Sequence, residues 1–122
     1  MNTNEPIYRQ LIRQVKDSVL AGSLIQGQQV DSLQQVSNNW SVNPLTVQKA
    51  YRELELEGIL ELRRGRGYFI RDTAHQQLFS QERREFLKEQ LPDCVRRAKW
   101  LGISWDEIQK AWSDNDLDQK PE

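Results

Sequence analysis

Between Ser32 and Gly58 the hydrophobic residues recur at helical spacing in two short segments that are separated by only a few residues. Ser32, with Gln35 three residues later, matches a capping box that begins the first segment. Asn43-Pro44 begins the second, because asparagine caps helices well and proline fits a first turn. Two short helices joined by a tight turn predict a helix-turn-helix here. The second helix has its apolar residues on one face and polar residues opposite; the apolar ones are Val47, Ala50, Tyr51 and Leu54.

The hydrophobic period changes after Gly58, where Leu60 and Leu62 alternate with charged residues. A tip of Gly65-Arg66-Gly67 separates this run from a second apolar run, so residues 59–71 predict a β-hairpin. Earlier in the chain, residues 6–21 form an amphipathic helical pattern that is followed by a glycine and a short connector. A helix-turn-helix followed directly by a basic hairpin is the outline of a winged helix.

The remainder of the chain also has helical periodicity, beginning at about Thr73. Pro92 lies inside this segment, so we expect the helix to kink or break there. Ser104 and Glu107 match another capping box, which predicts a final helix to about Ser113. The tail over residues 114–122 is acidic, lacks periodicity and is expected to be disordered. The positions expected to be buried in these helices are Leu78, Phe79, Phe86, Leu87, Leu91, Val95, Ala98, Ile108 and Trp112.

Only 37% of the 122 residues are hydrophobic, so we expect a thin core and oligomerisation. The net charge of −1 divides unevenly: residues 1–71 hold nine basic and seven acidic side chains, and residues 72–122 hold eight and eleven. This asymmetry indicates different partners for the two parts. The sequence has no run of about 20 apolar residues, as a membrane span requires, and no secretory signal. We therefore expect a cytoplasmic protein without a membrane contact.

Catalytic and metal-binding chemistry finds little support in the sequence. One cysteine, Cys94, and one histidine, His75, suggest neither a nucleophile–base arrangement nor a metal site. The glycine-rich segment lies in the predicted hairpin rather than between a strand and a helix, unlike a phosphate-binding loop. We expect no enzymatic activity and no cofactor, and we expect Cys94 to be buried or half-buried in a helix. Core and dimer packing explains the four tryptophans better than a ligand cage does: Trp40, Trp100, Trp105 and Trp112.

Three motifs occur together and in order: NPLTV from Asn43, AYRELELEG from Ala50 and RRGRGYF from Arg63. With the opening PIYRQL from Pro6, they make residues 5–71 resemble the GntR family of bacterial transcription regulators. The resemblance implies a mainly α fold with a small β-hairpin, with a winged helix-turn-helix DNA-binding domain over residues 1–71. The two helices that follow are similar to the extension of the YtrA-like subfamily. They imply a dimerisation arm over residues 72–113 rather than the larger ligand-binding domain of most subfamilies.

The resemblance also implies a function, which is sequence-specific binding of double-stranded DNA. A homodimer would bind a palindromic operator, and repression by occluding a promoter is the commoner outcome in the family. Whether a small-molecule effector exists is left open. The alternative is a winged helix that binds protein as an adaptor, without specific DNA binding, to which the slightly negative net charge gives some weight.

The candidate DNA-binding residues lie on the second and third helices and at the hairpin tip. The N-terminal end of the third helix would enter the major groove, where Gln48 suits an adenine edge and Lys49 suits guanine or phosphate. Arg52 is expected either to touch phosphate or to pair with Glu55. Arginines beside glycines at the tip suit a narrow minor groove or phosphates. Gln34 stands where the resemblance implies a DNA-contacting arginine, so that contact is expected to be weaker or absent. The full set is Gln34, Asn43, Pro44, Leu45, Thr46, Gln48, Lys49, Arg52, Arg63, Arg64, Gly65, Arg66 and Gly67.

Overall fold

The computed structural model describes residues 5–115, which form two compact units that divide between Leu78 and Phe79. The elements of the first unit are α1 (Ile7–Ala21), α2 (Leu33–Trp40), α3 (Pro44–Leu56), β1 (Leu60–Arg63) and β2 (Gly67–Ile70). The helix α4 (Ala74–Glu85) begins in the first unit. It is followed by a π-helical turn (Phe86–Gln90), α5 (Leu91–Trp100) and α6 (Trp105–Asp114). The elements confirm the predicted mainly helical fold with one β-hairpin.

The ends of α1 follow from residues at its two boundaries. Pro6 immediately precedes the first helical residue, and Gly22 ends the helix in the left-handed conformation at φ 85°. The Ser23 N–H donates to the Ser18 carbonyl at 2.9 Å, which satisfies a carbonyl of the last turn. Leu11 and Val19 lie on the buried face of the helix, as the apolar stripe predicts.

Side-chain hydrogen bonds hold the helix-turn-helix at the beginning of α2 and across the turn that follows it. The predicted capping box is present, with the Ser32 Oγ accepting from the Gln35 N–H at 3.1 Å. Buried Ser37 donates its hydroxyl to the Val42 carbonyl at 2.5 Å across the turn. Ser41, at φ 55°, reverses the chain in the left-handed region. These contacts set the direction in which α3 leaves the turn.

The hairpin has a partner strand that the sequence interpretation treated as a plain connector. Strands β1 and β2 are antiparallel, with Leu60 opposite Ile70. The Val30 N–H donates to the Tyr68 carbonyl at 3.0 Å, and the Ile70 N–H donates to the Gln28 carbonyl at 2.9 Å. Residues 27–30 therefore lie beside β2 as an extended segment with an isolated antiparallel bridge between Gln29 and Phe69, and we call this segment the third strand. Their sequence, GQQV, lacks the apolar alternation that predicts a strand.

The core of the first unit joins all three helices to the sheet. Helix α2 contributes Val36, which is 8% exposed. The largest side chains with less than 2% exposure come from α1, α3, the hairpin and α4: Leu54, Ile59, Leu60, Ile70, Leu78, Val19 and Val47. Tyr51 fixes α3 to the start of α2, because its hydroxyl donates to the Asp31 carbonyl at 2.7 Å. Its ring contacts the Tyr68 ring edge-on at 5.2 Å, which ties α3 to the hairpin.

The helix is irregular beside Pro92, where a kink or a break was expected. The backbone remains helical at Gln90 (φ −71°, ψ −42°), and Pro92 lies in the first turn of α5. The π-helical turn Phe86–Gln90 interrupts the regular α-helix directly before α5. Of the two expected outcomes, the chain therefore does not break at Pro92.

The apolar residues of the second unit are largely exposed, which contradicts most of the predicted burial. Of the nine positions expected to be buried in the C-terminal helices, only Leu78 is buried, and it belongs to the first unit. Trp112 is 70% exposed, and Cys94 is exposed rather than buried or half-buried. Side chains exposed by 37–53% are Phe79, Phe86, Leu87, Leu91 and Val95. Periodicity identifies the apolar side of a helix but not whether another layer covers it within one chain.

Of the tail predicted over residues 114–122, Asp114 ends α6, and residues 116–122 lie outside the described part of the chain. Among the helices described, none is long and apolar enough to cross a membrane.

Candidate nucleic-acid interface

The outward face of α3 presents the polar residues that the sequence predicted for it. Val47, Ala50, Tyr51 and Leu54 fix the rotation of the helix, because all four are buried against the core. The opposite face is open, and Leu45 is 70% exposed there. Thr46 is half-buried at the edge of this face. The exposed polar side chains are Gln48, Lys49 and Arg52.

The N-terminal end of α3 is capped from within the protein. The Asn43 Oδ1 accepts from the Leu45 N–H at 2.8 Å, and Pro44 occupies the first turn. The Thr46 N–H donates to the Asn43 carbonyl at 2.9 Å. These two N–H groups therefore already have partners. The groups that this end can offer to a ligand are the Asn43 amide nitrogen and the Thr46 hydroxyl.

Lys49 lies on the side of α3 that faces α1. Its Nζ is 3.9 Å from the centre of the Tyr8 ring. The Arg9 guanidinium lies over the same ring, with its Cζ at 5.4 Å. Neither Tyr8 nor Arg9 is among the candidate residues, because the amphipathic pattern of residues 6–21 includes Tyr8 among its apolar positions. Arg9, the basic residue next to Tyr8, is the only signal in the sequence that could have indicated a DNA-binding role for this position.

Arg52 does not form the ion pair with Glu55 that was one of its two expected roles. Its side chain is exposed and, across residues 5–115, it forms no ion pair, with Glu55 or with any other carboxylate. Burial raises the pKa of Tyr68, and the charge of Glu55 raises it further, whereas Arg52 lowers it. Arg52 therefore lies between the open face of α3 and the hairpin, with its charge available.

The three arginines of the hairpin differ in how they are held. Arg63 is committed to the protein: its Nε lies 2.9 Å from the Glu61 Oε2, and its Cζ is 4.1 Å from the centre of the Phe69 ring. Arg66 lies more loosely over the same ring, at 5.5 Å. Arg64 is exposed, and nothing in the described part of the chain pairs with its guanidinium. The tip therefore presents Arg64 and Arg66 to solvent.

The shape of the tip depends on Gln29, a residue that sequence reasoning missed. The Gln29 Nε2 donates to the Arg66 carbonyl at 2.5 Å, so the third strand holds the turn. Gly67 adopts φ +112°, and a Cβ there would lie 2.9 Å from the Gln29 Nε2. Gly65, at φ +75°, needs its glycine for conformation alone, because a Cβ would meet nothing within 4 Å. No local pattern marks Gln29, because its contact spans 37 positions of sequence.

Gln34 lies on the exposed face of α2 and is paired with a neighbour on the same helix. Its Nε2 donates to the Asn38 Oδ1 at 3.0 Å. The sequence of α2, LQQVSNNW, contains no charged residue. This face therefore offers neutral amides where the family resemblance implies an arginine. All thirteen candidate residues lie in the first unit, on α2, on α3 with its cap, or at the hairpin tip.

Comparison with known proteins agrees with this geometry. Residues 7–70 match the family described as "Bacterial regulatory proteins, gntR family". The chain is 36% identical over 106 residues to the HTH-type transcriptional repressor YtrA of Bacillus subtilis (strain 168), which covers 87% of this chain and 81% of that protein.

Two solved structures resemble the chain in fold. A transcriptional regulator from Oenococcus oeni superposes with a TM-score of 0.70 at 27% identity, covering 93% of each chain. YtrA from Sulfolobus acidocaldarius, a GntR-family transcription factor, superposes with a TM-score of 0.56 at 26% identity, covering 72% of this chain and 93% of its own. The helix-turn-helix, the hairpin and these matches together show that the chain belongs to the GntR family of bacterial transcription regulators.

Proposed function

We propose that this regulator binds a palindromic operator in double-stranded DNA as a homodimer and represses transcription by occupying a promoter. The observation that carries the proposal is the open face of α3, whose N-terminal half presents an uncharged amide, a lysine and an apolar side chain beside an arginine-bearing hairpin tip. Because B. subtilis YtrA is named as a repressor, repression is the outcome we propose here.

Base recognition is assigned to the N-terminal half of α3, in the major groove. The Gln48 side chain is exposed and, within residues 5–115, forms no hydrogen bond, so both its amide groups are available for an adenine edge. Exposed Leu45 suits a thymine methyl group. Asn43 and Thr46 are proposed to bond the flanking phosphates. Arg52 is proposed to do the same, since no carboxylate of residues 5–115 pairs with it.

The hairpin is proposed to hold the groove beside the operator half-site. Arg64 and Arg66 suit a narrow minor groove or the phosphates that line it. Gly65 and Gly67 give the tip a backbone without side chains at two positions, which allows close approach. Arg63 has a different role in this proposal, because Glu61 and Phe69 already hold it. Gln34 would add a weak neutral contact from α2.

Dimerisation is proposed to use a helical arm over residues 72–113. The support is the exposure of apolar side chains along α4, the π-helical turn, α5 and α6, which a second copy would cover. Two-fold symmetry would place two recognition helices about 34 Å apart on one face of the DNA. That spacing predicts a palindrome with half-sites about one helical turn apart.

The decisive experiment is selection of bound duplexes from a random library with the full chain, followed by titration of the selected duplex. We expect a two-fold symmetric consensus, with affinity well above that for a scrambled duplex at moderate salt. Both affinities should fall as salt rises, because counterion release is then worth less. Equal affinity for selected and scrambled duplexes would reject specific binding and would favour the adaptor alternative.

A further inference from the structure

The Tyr8 ring has two cationic side chains over it, and they come from two different helices. The Lys49 Nζ of α3 lies 3.9 Å from the ring centre, and the Arg9 Cζ of α1 lies at 5.4 Å. Neither cation forms an ion pair in the part of the chain described. Arg9 also lines a shallow cleft with Glu5 and Glu53, but it pairs with neither. The aromatic ring is thus the main partner of both charges.

The contact with Tyr8 separates Lys49 from the residues proposed to contact bases. At 100° per residue, Leu45 lies at about the centre of the open face, Arg52 and Lys49 lie about 30° to either side of it, and Gln48 lies further out on the side of Arg52. Lys49 is therefore on the opposite side of the face from Gln48, and its contact with the Tyr8 ring turns its ammonium group toward α1. A charge held toward α1 is turned away from the base edges that Gln48 is proposed to read, which favours a contact with the DNA backbone.

The charges of this cluster favour an anion. Two like charges over one ring repel each other, and the ring quadrupole attracts each of them by only a modest amount. A phosphodiester beside the ring would interact favourably with either cation. The ring also restricts the long lysine side chain before DNA arrives, which lowers the entropy lost on binding. The cluster therefore presents preorganised positive charge to the DNA backbone.

We propose that Tyr8, Arg9 and Lys49 form a clamp for a DNA backbone phosphate, with Tyr8 as the positioning residue. The proposal rests on the proposed function, in that α3 is taken to enter the major groove. Within the clamp, Lys49 contributes affinity to every duplex equally and does not select a base. Arg9 extends the DNA-binding surface from the helix-turn-helix to the beginning of α1.

The experiment compares the full-length chain with Lys49→Met, which keeps the aliphatic stem and removes the charge. Lys110→Met, on α6, is the matched control for loss of one lysine charge. Fluorescence anisotropy with the selected duplex and with a scrambled duplex is measured over a series of salt concentrations. At ~150 mM salt we expect Lys49→Met to weaken both duplexes by the same factor, about fivefold for each subunit of the dimer and so about 30-fold in all, and to lower the salt slope by about 1.8, which is about 0.9 per subunit. Lys110→Met should change neither.

Other results with Lys49→Met would overturn the clamp. Weaker binding of the selected duplex alone would show that Lys49 recognises a base, and unchanged binding of both would place it outside the interface. These failures differ from failure of the proposed function, in which the unaltered protein itself prefers neither duplex. The salt slope on the scrambled duplex tests the clamp even in that case.

The positioning role of Tyr8 is tested by Tyr8→Leu, which keeps apolar packing, in a cycle with Lys49→Met. We expect Tyr8→Leu to weaken binding of both duplexes about two- to fivefold, with the salt slope unchanged because both charges remain. Its effect should be smaller when Lys49 is already replaced. An equal effect in both backgrounds would mean that Tyr8 acts only through packing, and thermal melts of each variant report that contribution directly.

Discussion

At the scale of single residues, the hairpin shows that neighbouring arginines have separable roles. Arg63 is held by Glu61 and by the Phe69 ring, whereas Arg64 is exposed and unpaired in the described region. An arginine that already has partners must lose them to bind a phosphate. An exposed one loses only water and side-chain freedom.

Arg64→Ala is therefore expected to weaken duplex binding about fivefold for each subunit of the proposed dimer at ~150 mM salt, the factor for one lost phosphate contact, without changing Tm. Arg63→Ala should act in the opposite way, lowering stability by about 0.5–1 kcal/mol with a smaller effect on DNA binding. Anisotropy titration and thermal melting of both variants check the contrast. If both lost DNA affinity equally at unchanged Tm, the assignment of Arg63 to the scaffold would be wrong.

The Tyr51 hydroxyl forms a tertiary hydrogen bond that joins α3 to the start of α2. Tyr51→Phe removes the hydroxyl that donates to the Asp31 carbonyl. We expect a loss of about 1 kcal/mol in the free energy of unfolding. Tyr68→Phe is the matched control, because the Tyr68 hydroxyl has no hydrogen bond within residues 5–115. Urea denaturation at neutral pH measures both, and equal losses would contradict the assignment.

The raised pKa of Tyr51 predicts that the protein loses stability at alkaline pH. Burial raises the pKa of Tyr51, and the nearby charge of Asp31 raises it further. A raised pKa in the folded state means that the stability is fully present below the unfolded value of about 10 and falls as pH rises above it. We expect the urea midpoint of the unaltered protein to fall more steeply above about pH 10 than that of Tyr51→Phe. Parallel curves would exclude Tyr51 as the cause.

At the scale of elements, the two-stranded hairpin is supported by the segment at residues 27–30, which bridges to β2. An isolated two-stranded hairpin is marginally stable in water, and the strand at residues 27–30 adds backbone hydrogen bonds to β2. Gln29 extends this support to the tip through the Arg66 carbonyl. The orientation of the arginines thus depends on a segment that precedes the helix-turn-helix.

Substitution of the two tip glycines tests this arrangement. Gly65→Ala introduces only left-handed strain and is expected to cost about 1–2 kcal/mol. Gly67→Ala has strain and also displaces Gln29, so it should cost about 1 kcal/mol more, the value of the lost hydrogen bond. Urea denaturation measures the loss of stability in both variants. In a chain that already carries Gln29→Ala, Gly67→Ala should cost only its left-handed strain, because the side chain with which the new Cβ would clash is absent. A Gly67→Ala variant as stable as Gly65→Ala would contradict the contact.

At the scale of the whole molecule, the two units differ in where their apolar side chains lie. The first unit buries its apolar residues in a continuous core, whereas the second has exposed leucine, phenylalanine and tryptophan side chains along its helices. A chain with 37% hydrophobic residues that leaves many of them exposed has a strong reason to self-associate.

If the helices after the hairpin form the dimer interface, a charge introduced among their apolar side chains should separate the dimer. Leu87→Glu or Val95→Glu should convert a dimer into monomers at micromolar concentration, because each would place a carboxylate in an apolar interface. Lys99→Glu on α5 is the control and should leave the dimer intact. Sedimentation velocity measures the state, and circular dichroism verifies that the helices persist. Dimers in all three variants would locate the interface elsewhere.

Most of the local structure could be predicted from the residues themselves. Capping boxes at Ser32 and Ser104, the Asn43-Pro44 start of α3 and the change of period at Gly58 are signals carried by a few adjacent residues. The face of α3 that became polar and exposed also followed from periodicity. Such features depend on short-range hydrogen bonds and on helix geometry, which any chain with those residues would have.

The features decided by the tertiary structure all depend on contacts between distant residues. The third strand at Gln29, the Tyr8 ring beneath Lys49 and the commitment of Arg63 to Phe69 join separate elements. The exposure of the arm also depends on tertiary structure, because periodicity indicates which side of a helix is apolar but not whether another layer covers it. The sequence by itself thus determined the elements and the family. Only packing decided which cations remain free for DNA, because a charge is committed or available according to the neighbours that folding brings to it.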